Sequence, residues 1–232
     1  MNQAEMERLA RREVLLKLAA TGAFGAGGIL GLVRDALSAG SQPATPGVRH
    51  IKGPVSVGAT RASIGLTIKP GQSVVTGAGG EAVYVVGPDA FLQREKTKIA
   101  FEESVGAQFL RVITGRVLSV IGKGRDRERN LQVVTPAATI GIRGSGFYIE
   151  AEEAHTYFCL CYGEAEVIPT GNPELKETIQ TGHHERPIYI DASGSPVVAP
   201  AKLINHTDDE LVMLENLVGR WPPFYGQSGL RY

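Results

Sequence analysis

Two cysteines are all that the 232 residues contain, and they stand one residue apart as Cys159 and Cys161. One intervening residue leaves almost no loop to close and poor geometry for an S–S bond, so no disulfide framework is expected to define the fold. Net charge is missing too. The 24 Lys and Arg residues balance 24 Asp and Glu, which excludes a whole-molecule field that would draw in nucleic acid or an anionic membrane surface. Catalytic motifs are also lacking: the chain has no G-x-S-x-G elbow, no H-E-x-x-H and no acid and base paired at a defensible spacing. Ser145 has no base in a local motif, so the chain is not expected to be an enzyme. Helix patterns are scarce between residues 48 and 170.

What is present begins with a leader. Residues 1–39 open polar, place Arg11 and Arg12 side by side, and run weakly apolar from Val14 to Val33 with only Lys17 interrupting. This pattern resembles a twin-arginine export signal, and Ala36-Leu37-Ser38 offers a small-x-small site for cleavage before Ala39. Five glycines dilute the apolar run, which favours a removable signal over a permanent anchor. A periplasmic location is therefore expected, with membrane contact only through residues 14–33 if the signal is retained. Residues 40–47 read as a proline- and glycine-punctuated linker.

From Val48 the texture changes to short β-branched runs separated by turn residues about every ten positions, the rhythm of an all-β sandwich or roll. Strands are expected over residues 48–57, 63–68, 72–75, 81–86, 90–93, 97–101, 109–114, 116–121, 131–134, 138–142, 146–151 and 156–167. Lys69-Pro70-Gly71-Gln72, Gly87-Pro88-Asp89 and Thr114-Gly115 read as turns between them. Residues 122–130, GKGRDRERN, interleave both signs of charge and read as a solvated hairpin tip.

The stretch TPAATIGIRGSGFYIEA, residues 135–151, carries glycines in the order G-x-x-G-x-G with no helix pattern behind it, which rules out a phosphate-cradling loop. On a β reading, Gly141 and Gly144 mark places where a side chain would collide or where φ must be positive, and they make room for Arg143. The Arg143 guanidinium suits a carboxylate partner or backbone carbonyls of an adjacent turn.

These residues also resemble a known family. The block Thr135-Pro136-x-Ala138-x-x-Gly141-Ile142-Arg143-Gly144-Ser145-x-Phe147, followed by Tyr162-Gly163-Glu164-Ala165-Glu166-Val167, is similar to the core of the FecR domain of periplasmic regulators of ferric citrate uptake. Upstream, Ile68-x-Pro70-Gly71-Gln72-x-Val74-x-Thr76-Gly77 and Gly115-Arg116-Val117 look like earlier parts of that domain. The resemblance spans about Val48 to Ile168, within an expected β domain of residues 48–170. It implies a non-catalytic module of the cell envelope that senses or regulates through contact with another, unidentified envelope protein. Only about a dozen residues precede the apolar run, too few for a sigma-binding unit, so transmembrane sigma control by this chain alone is not expected.

The strand around the cysteines offers a different chemistry. Period-two alternation places Tyr157, Cys159 and Cys161 on one face and Phe158, Leu160 and Tyr162 on the other. His183 and His184 follow, and neighbours in a strand would face opposite ways, so only one joins a thiolate pair easily. Such a group could hold zinc or copper in a periplasmic metal-binding or redox protein, the alternative to the module reading. Two buried, inert thiols are the competing reading, under which no cofactor is needed. His50, His155 and His206 stand alone and read as surface or turn residues.

Residues 171–232 form an extension with one more strand, 186–191, and one helix, 207–218. Thr207 and Glu210 fit a capping box, and Gly219 followed by Pro222-Pro223 fits a stop. Leu211, Leu214, Leu217 and Val218 make an apolar stripe expected to dock on the β domain. Trp221 and Phe224 either seal the same groove or form a recognition edge for a partner.

Overall fold

The structure, a computed structural model, describes residues 43–104, 107–122, 131–193 and 197–226. The expected export signal and the charged run from Lys123 onward lie outside the described residues. No helix among the described residues is long and apolar enough to cross a membrane.

Fourteen strands join in one sheet. They are β1 (Gly47–Lys52), β2 (Val55–Val57), β3 (Thr60–Arg61), β4 (Ser73–Thr76), β5 (Glu81–Val86), β6 (Asp89–Gln93) and β7 (Thr97–Ser104), then β8 (Ala107–Val120), β9 (Leu131–Val134), β10 (Ala138–Ala151), β11 (His155–Pro169), β12 (Glu177–Thr181), β13 (Ile188–Asp191) and β14 (Val198–Pro200). Among the described residues a single α-helix, α1 (Asp208–Leu217), follows them. The mainly β class with one C-terminal helix is the one expected.

Two long strands organise the sheet. β8 pairs through its first half with β7 and β9 and through its second half with β6 and β10. β10 in turn pairs with β11 along most of its length. Alternation along these strands sends Leu110, Val112, Val117, Phe147, Ile149, Phe158 and Leu160 to one apolar interior. The opposite faces, with Leu118, Val120, Tyr148, Tyr157 and the two cysteines, form a second buried cluster beneath α1. A half-exposed sheet is thus sealed by the C-terminal segment, which is what a pleated surface apolar on both faces requires.

Several expected boundaries move. Residues 63–68 form turns rather than a strand, and 48–57 breaks into β1 and β2 at Gly53-Pro54. Thr114-Gly115 is not a turn. The register shift between Lys98 and Ile99 leaves Ile113 as an extra residue, and Gly115 adopts φ 91° where a Cβ would lie 2.2 Å from the Thr97 hydroxyl, so β8 bends without reversing. β12 and β14 are additional strands in the extension. Helix α1 has the full capping box, with the Thr207 hydroxyl accepting from the Glu210 N–H and the Glu210 carboxylate accepting from the Thr207 N–H. More than a stripe is covered: Val212, Met213, Glu215 and Asn216 are buried along with the expected leucines.

Candidate metal centre

Cys159 and Cys161 come from β11, next to an irregularity in its pairing. Gly146 faces Tyr162 while Phe147 faces Leu160, so Cys161 is the extra residue of a β-bulge. The bulge corrects the expected alternation: Tyr162 lies with Tyr157, Cys159 and Cys161 in the cluster under α1, and not with Phe158 and Leu160. The Tyr162 ring then lies over Gly146, where a Cβ would come within 2.5 Å of it. Its hydroxyl donates a short hydrogen bond to the buried carboxylate of Glu215 in α1.

His184 arrives from the turn after β12. The turn is tight: Glu185 Oε2 accepts from the N–H groups of Gly182 and His183, and His184 sits at φ 55°. His184 N–H donates to the Cys161 carbonyl at 3.0 Å, which lays its ring against the cysteines. His206 arrives from the segment immediately before Thr207, the N-cap of α1, and stacks on Tyr148 with ring centroids 4.5 Å apart. The expectation that His206 is a surface or turn residue is thereby corrected, since it is 7% exposed and belongs to the cluster. His50 is also buried rather than superficial, beside Glu81 on the far strand β5.

The four ligand atoms of Cys159, Cys161, His184 and His206 lie within 4.8 Å of one another. Cys159 Sγ is 3.5 Å from His184 Nδ1, Cys161 Sγ is 3.5 Å from His206 Nε2, and the two nitrogens are 3.3 Å apart. A tetrahedral zinc ion with ordinary bond lengths has edges of about 3.5 Å for S···N and about 3.3 Å for N···N. The observed edges match both. In a two-iron, two-sulfur cluster held by two cysteines and two histidines, the thiolates sit on one iron and the imidazoles on the other. Here each histidine touches a different sulfur, which does not fit that division.

Hydrogen bonds outside the cluster orient both rings. His184 Nε2 donates to Asp208 Oδ1 at 3.1 Å, and His206 Nδ1 donates to the Ile204 carbonyl at 2.7 Å. Each ring therefore spends its outer N–H elsewhere and turns the other nitrogen inward, the arrangement that sets a metal-ligating imidazole. His183, the other expected ligand, is not in the thiol group. Its Nε2 donates to Asp208 at 2.9 Å, so both neighbouring histidines converge on one carboxylate at the start of α1. Phe224 packs 4.3 Å from the His183 ring and closes that side, while Trp221 stacks on Tyr225 and remains partly exposed.

Charge in the cluster is already separated. The contact with Cys161 does most to hold the Cys159 thiol down to about 4, against burial and with help from His184 and His206. Burial, reinforced by that neighbour, pushes Cys161 well up. Burial works to lower His184, but Asp208 and Cys159 outweigh it and lift the imidazole to about 9. Asp208 stays below the usual carboxylate range because the two imidazole hydrogen bonds overcome its own desolvation. Protein alone thus gives a Cys159 thiolate beside a His184 imidazolium and a protonated Cys161.

Within the glycine and arginine block only Arg143 is open to water, while Ile142, Ser145, Gly146 and Phe147 are buried. Arg143 Nη1 bonds Glu164 Oε1 at 3.2 Å, with the arginine side chain 73% exposed. Gly144 does adopt a left-handed φ of 59°. Gly141 does not, and a Cβ there would meet Glu166 at an ordinary 3.8 Å, so the expected crowding at that position is corrected. The crowded position is Gly146. No signal near Arg143 points to a ligand, whereas His206 and Asp208, which no sequence motif marks, stand at the cysteine and histidine cluster.

No family model matches the chain, and no curated protein matches it. Two crystal structures of an anti-sigma factor candidate from Parabacteroides distasonis ATCC 8503 are similar over 56% of this chain at 14% identity and a TM-score of 0.46. The match spans 59% of that protein's chain. No functional argument follows from a likeness of this extent.

Proposed function

We propose that this protein is a non-catalytic β module that holds one zinc ion through Cys159, Cys161, His184 and His206. The single observation that carries this reading is the pair of inward-facing nitrogens 3.3 Å apart, each with its outer N–H committed to Asp208 or Ile204 and each 3.5 Å from a sulfur. Four protein ligands in a buried S2N2 tetrahedron leave no open position for a substrate, which favours a structural or sensing role over metal catalysis. Copper is the competitor: the preference of Cu(II) for square-planar or tetragonal sites makes it the less suited ion, and metal analysis separates Cu(I) from zinc. Redox use of the pair is disfavoured, because Cys-x-Cys on one strand cannot reach disulfide geometry without moving the backbone.

The test is metal analysis of the full chain, followed by cobalt substitution. One zinc per chain and the intense visible bands of tetrahedral cobalt bound by thiolate support the reading. Stoichiometric copper, or no metal in protein folded with zinc present, overturns it.

A second reading concerns setting. The block from Thr135 to Phe147 resembles the FecR core, and residues 1–39 resemble an export signal. This supports an exported regulatory module of the periplasm that works by contact with another envelope protein. Fractionation and N-terminal mass measurement test it, with unprocessed chain in the cytosol as the opposing result.

A further inference from the structure

We infer that zinc at this centre acts as a latch that decides whether residues 201–218 stay docked on the sheet. The inference rests on the zinc reading and adds what the ion controls.

The ligands divide between two parts of the molecule. Cys159 and Cys161 belong to β11, and His184 belongs to a turn tied to β11 through its own N–H and the Cys161 carbonyl. His206 belongs to the segment leading into α1. Two residues later Asp208, in the first turn of the helix, accepts the hydrogen bonds of both His183 and His184. One ion therefore joins the sheet to the beginning of the strap, and the carboxylate that orients its His184 ligand is itself part of the strap.

Beneath the strap lie Leu118, Val120 and Tyr148, which share a buried cluster with Leu211, Leu214 and Leu217. The other polar ties at the near end are partly open to water: His183 and His184 to Asp208 at 2.9 and 3.1 Å, Arg94 to Glu210 at 2.7 Å, Asn205 to Glu150 at 2.7 Å, and Tyr157 to the Lys202 carbonyl at 3.0 Å. The far end is held differently, by the buried Glu215 bonded to Tyr162 and to Arg220 Nε at 2.5 Å. Loss of the ion removes the one near-end tie that is buried on both sides, between His206 and the cysteines, and leaves the far end in place. Opening then starts at His206 and uncovers the sheet face progressively, a local transition separate from unfolding of the body.

Hydrogen exchange on the full chain tests this, comparing protein loaded with zinc ion, the same protein after complete chelation, and the His206→Ala variant with zinc present. His206→Ala keeps three ligands on the sheet and removes only the strap's own. The expected result is exchange faster by about tenfold or more over 201–218 in the chelated protein and in the variant, with β8 and β10 changing less than about twofold. If chelation strips a measured stoichiometric zinc and residues 201–218 exchange as before, the latch is overturned. Equal acceleration across the whole sheet also overturns it, because the ion would then support the fold generally. Should the variant fail to fold, chelated wild-type protein decides alone. Absence of stoichiometric zinc from wild-type protein sinks the zinc reading first, and the latch with it.

Discussion

The hairpin of β10 and β11 carries charge in two neighbouring stretches under opposite conditions, one open to water and one closed. In the open stretch Arg143 and Glu164 meet in water, where Coulomb attraction is screened and neither group loses its hydration. Three residues away along β11, Cys161 and its neighbours are sealed from solvent, and every donor and acceptor must find a partner inside. The open stretch looked the more informative because its glycines and arginine form a visible motif. The closed stretch holds the chemistry. Burial, more than the residue types themselves, decides whether a polar group indicates a site.

Five changes would break or sharpen this contrast. Replacing both thiols, Cys159→Ser with Cys161→Ser, should have the largest effect. If zinc is present at a thousandfold excess over its Kd, losing it costs about 4 kcal/mol, or a fall in Tm of roughly 10 °C. Calorimetry with and without chelator checks this, and a variant that still responds to chelator would contradict it. Glu215→Ala should follow at about 3 kcal/mol, because it leaves the buried Tyr162 hydroxyl and the partly buried Arg220 without their shared acceptor.

Gly146→Ala should cost about 1 to 3 kcal/mol, since the Tyr162 ring that its Cβ would strike is tethered to Glu215 and cannot easily give way. Gly141→Ala, in the same motif, should be close to neutral; equal losses at both positions in chemical denaturation would refute the distinction. Arg143→Ala should change stability by less than about 1 kcal/mol, and that small effect should shrink further in salt. A separate measurement sharpens the closed stretch. Zinc should displace about two protons per ion near neutral pH, one from the His184 imidazolium and one from the Cys161 thiol, because Cys159 is already ionised. An indicator in weak buffer reads the number directly.

Much of the fold was legible because its signals are local. Turn glycines and prolines bracket β-branched runs, and Thr207 with Glu210 marks the helix start within four residues. Errors arose where a local signal had two meanings. Gly115 fits a turn as well as a bulge, and only the opposing Thr97 makes it a bulge. β12 was passed over because Glu177–Thr181 buries only Ile179 and Thr181, too sparse an alternation to read. The centre was half legible: Cys159 and Cys161 share a face by strand period alone. His206 was not, since it is 45 residues from Cys161 and no spacing motif links them. The one available cue was its place two residues before Asp208, where a histidine adjoins the acidic first turn of a helix.

That separation along the chain has a consequence for how the ion meets the polypeptide. An extended chain offers only the Cys159 and Cys161 pair as neighbours, since His184 is 25 residues from Cys159 and His206 farther still. Gathering all four donors requires the hairpin, the β12 turn and the strap to have found their places already, at the expense of closing those loops. Under the zinc proposal, capture would therefore be a late event in assembly, and a chain that has not formed its sheet would have little with which to compete for the ion.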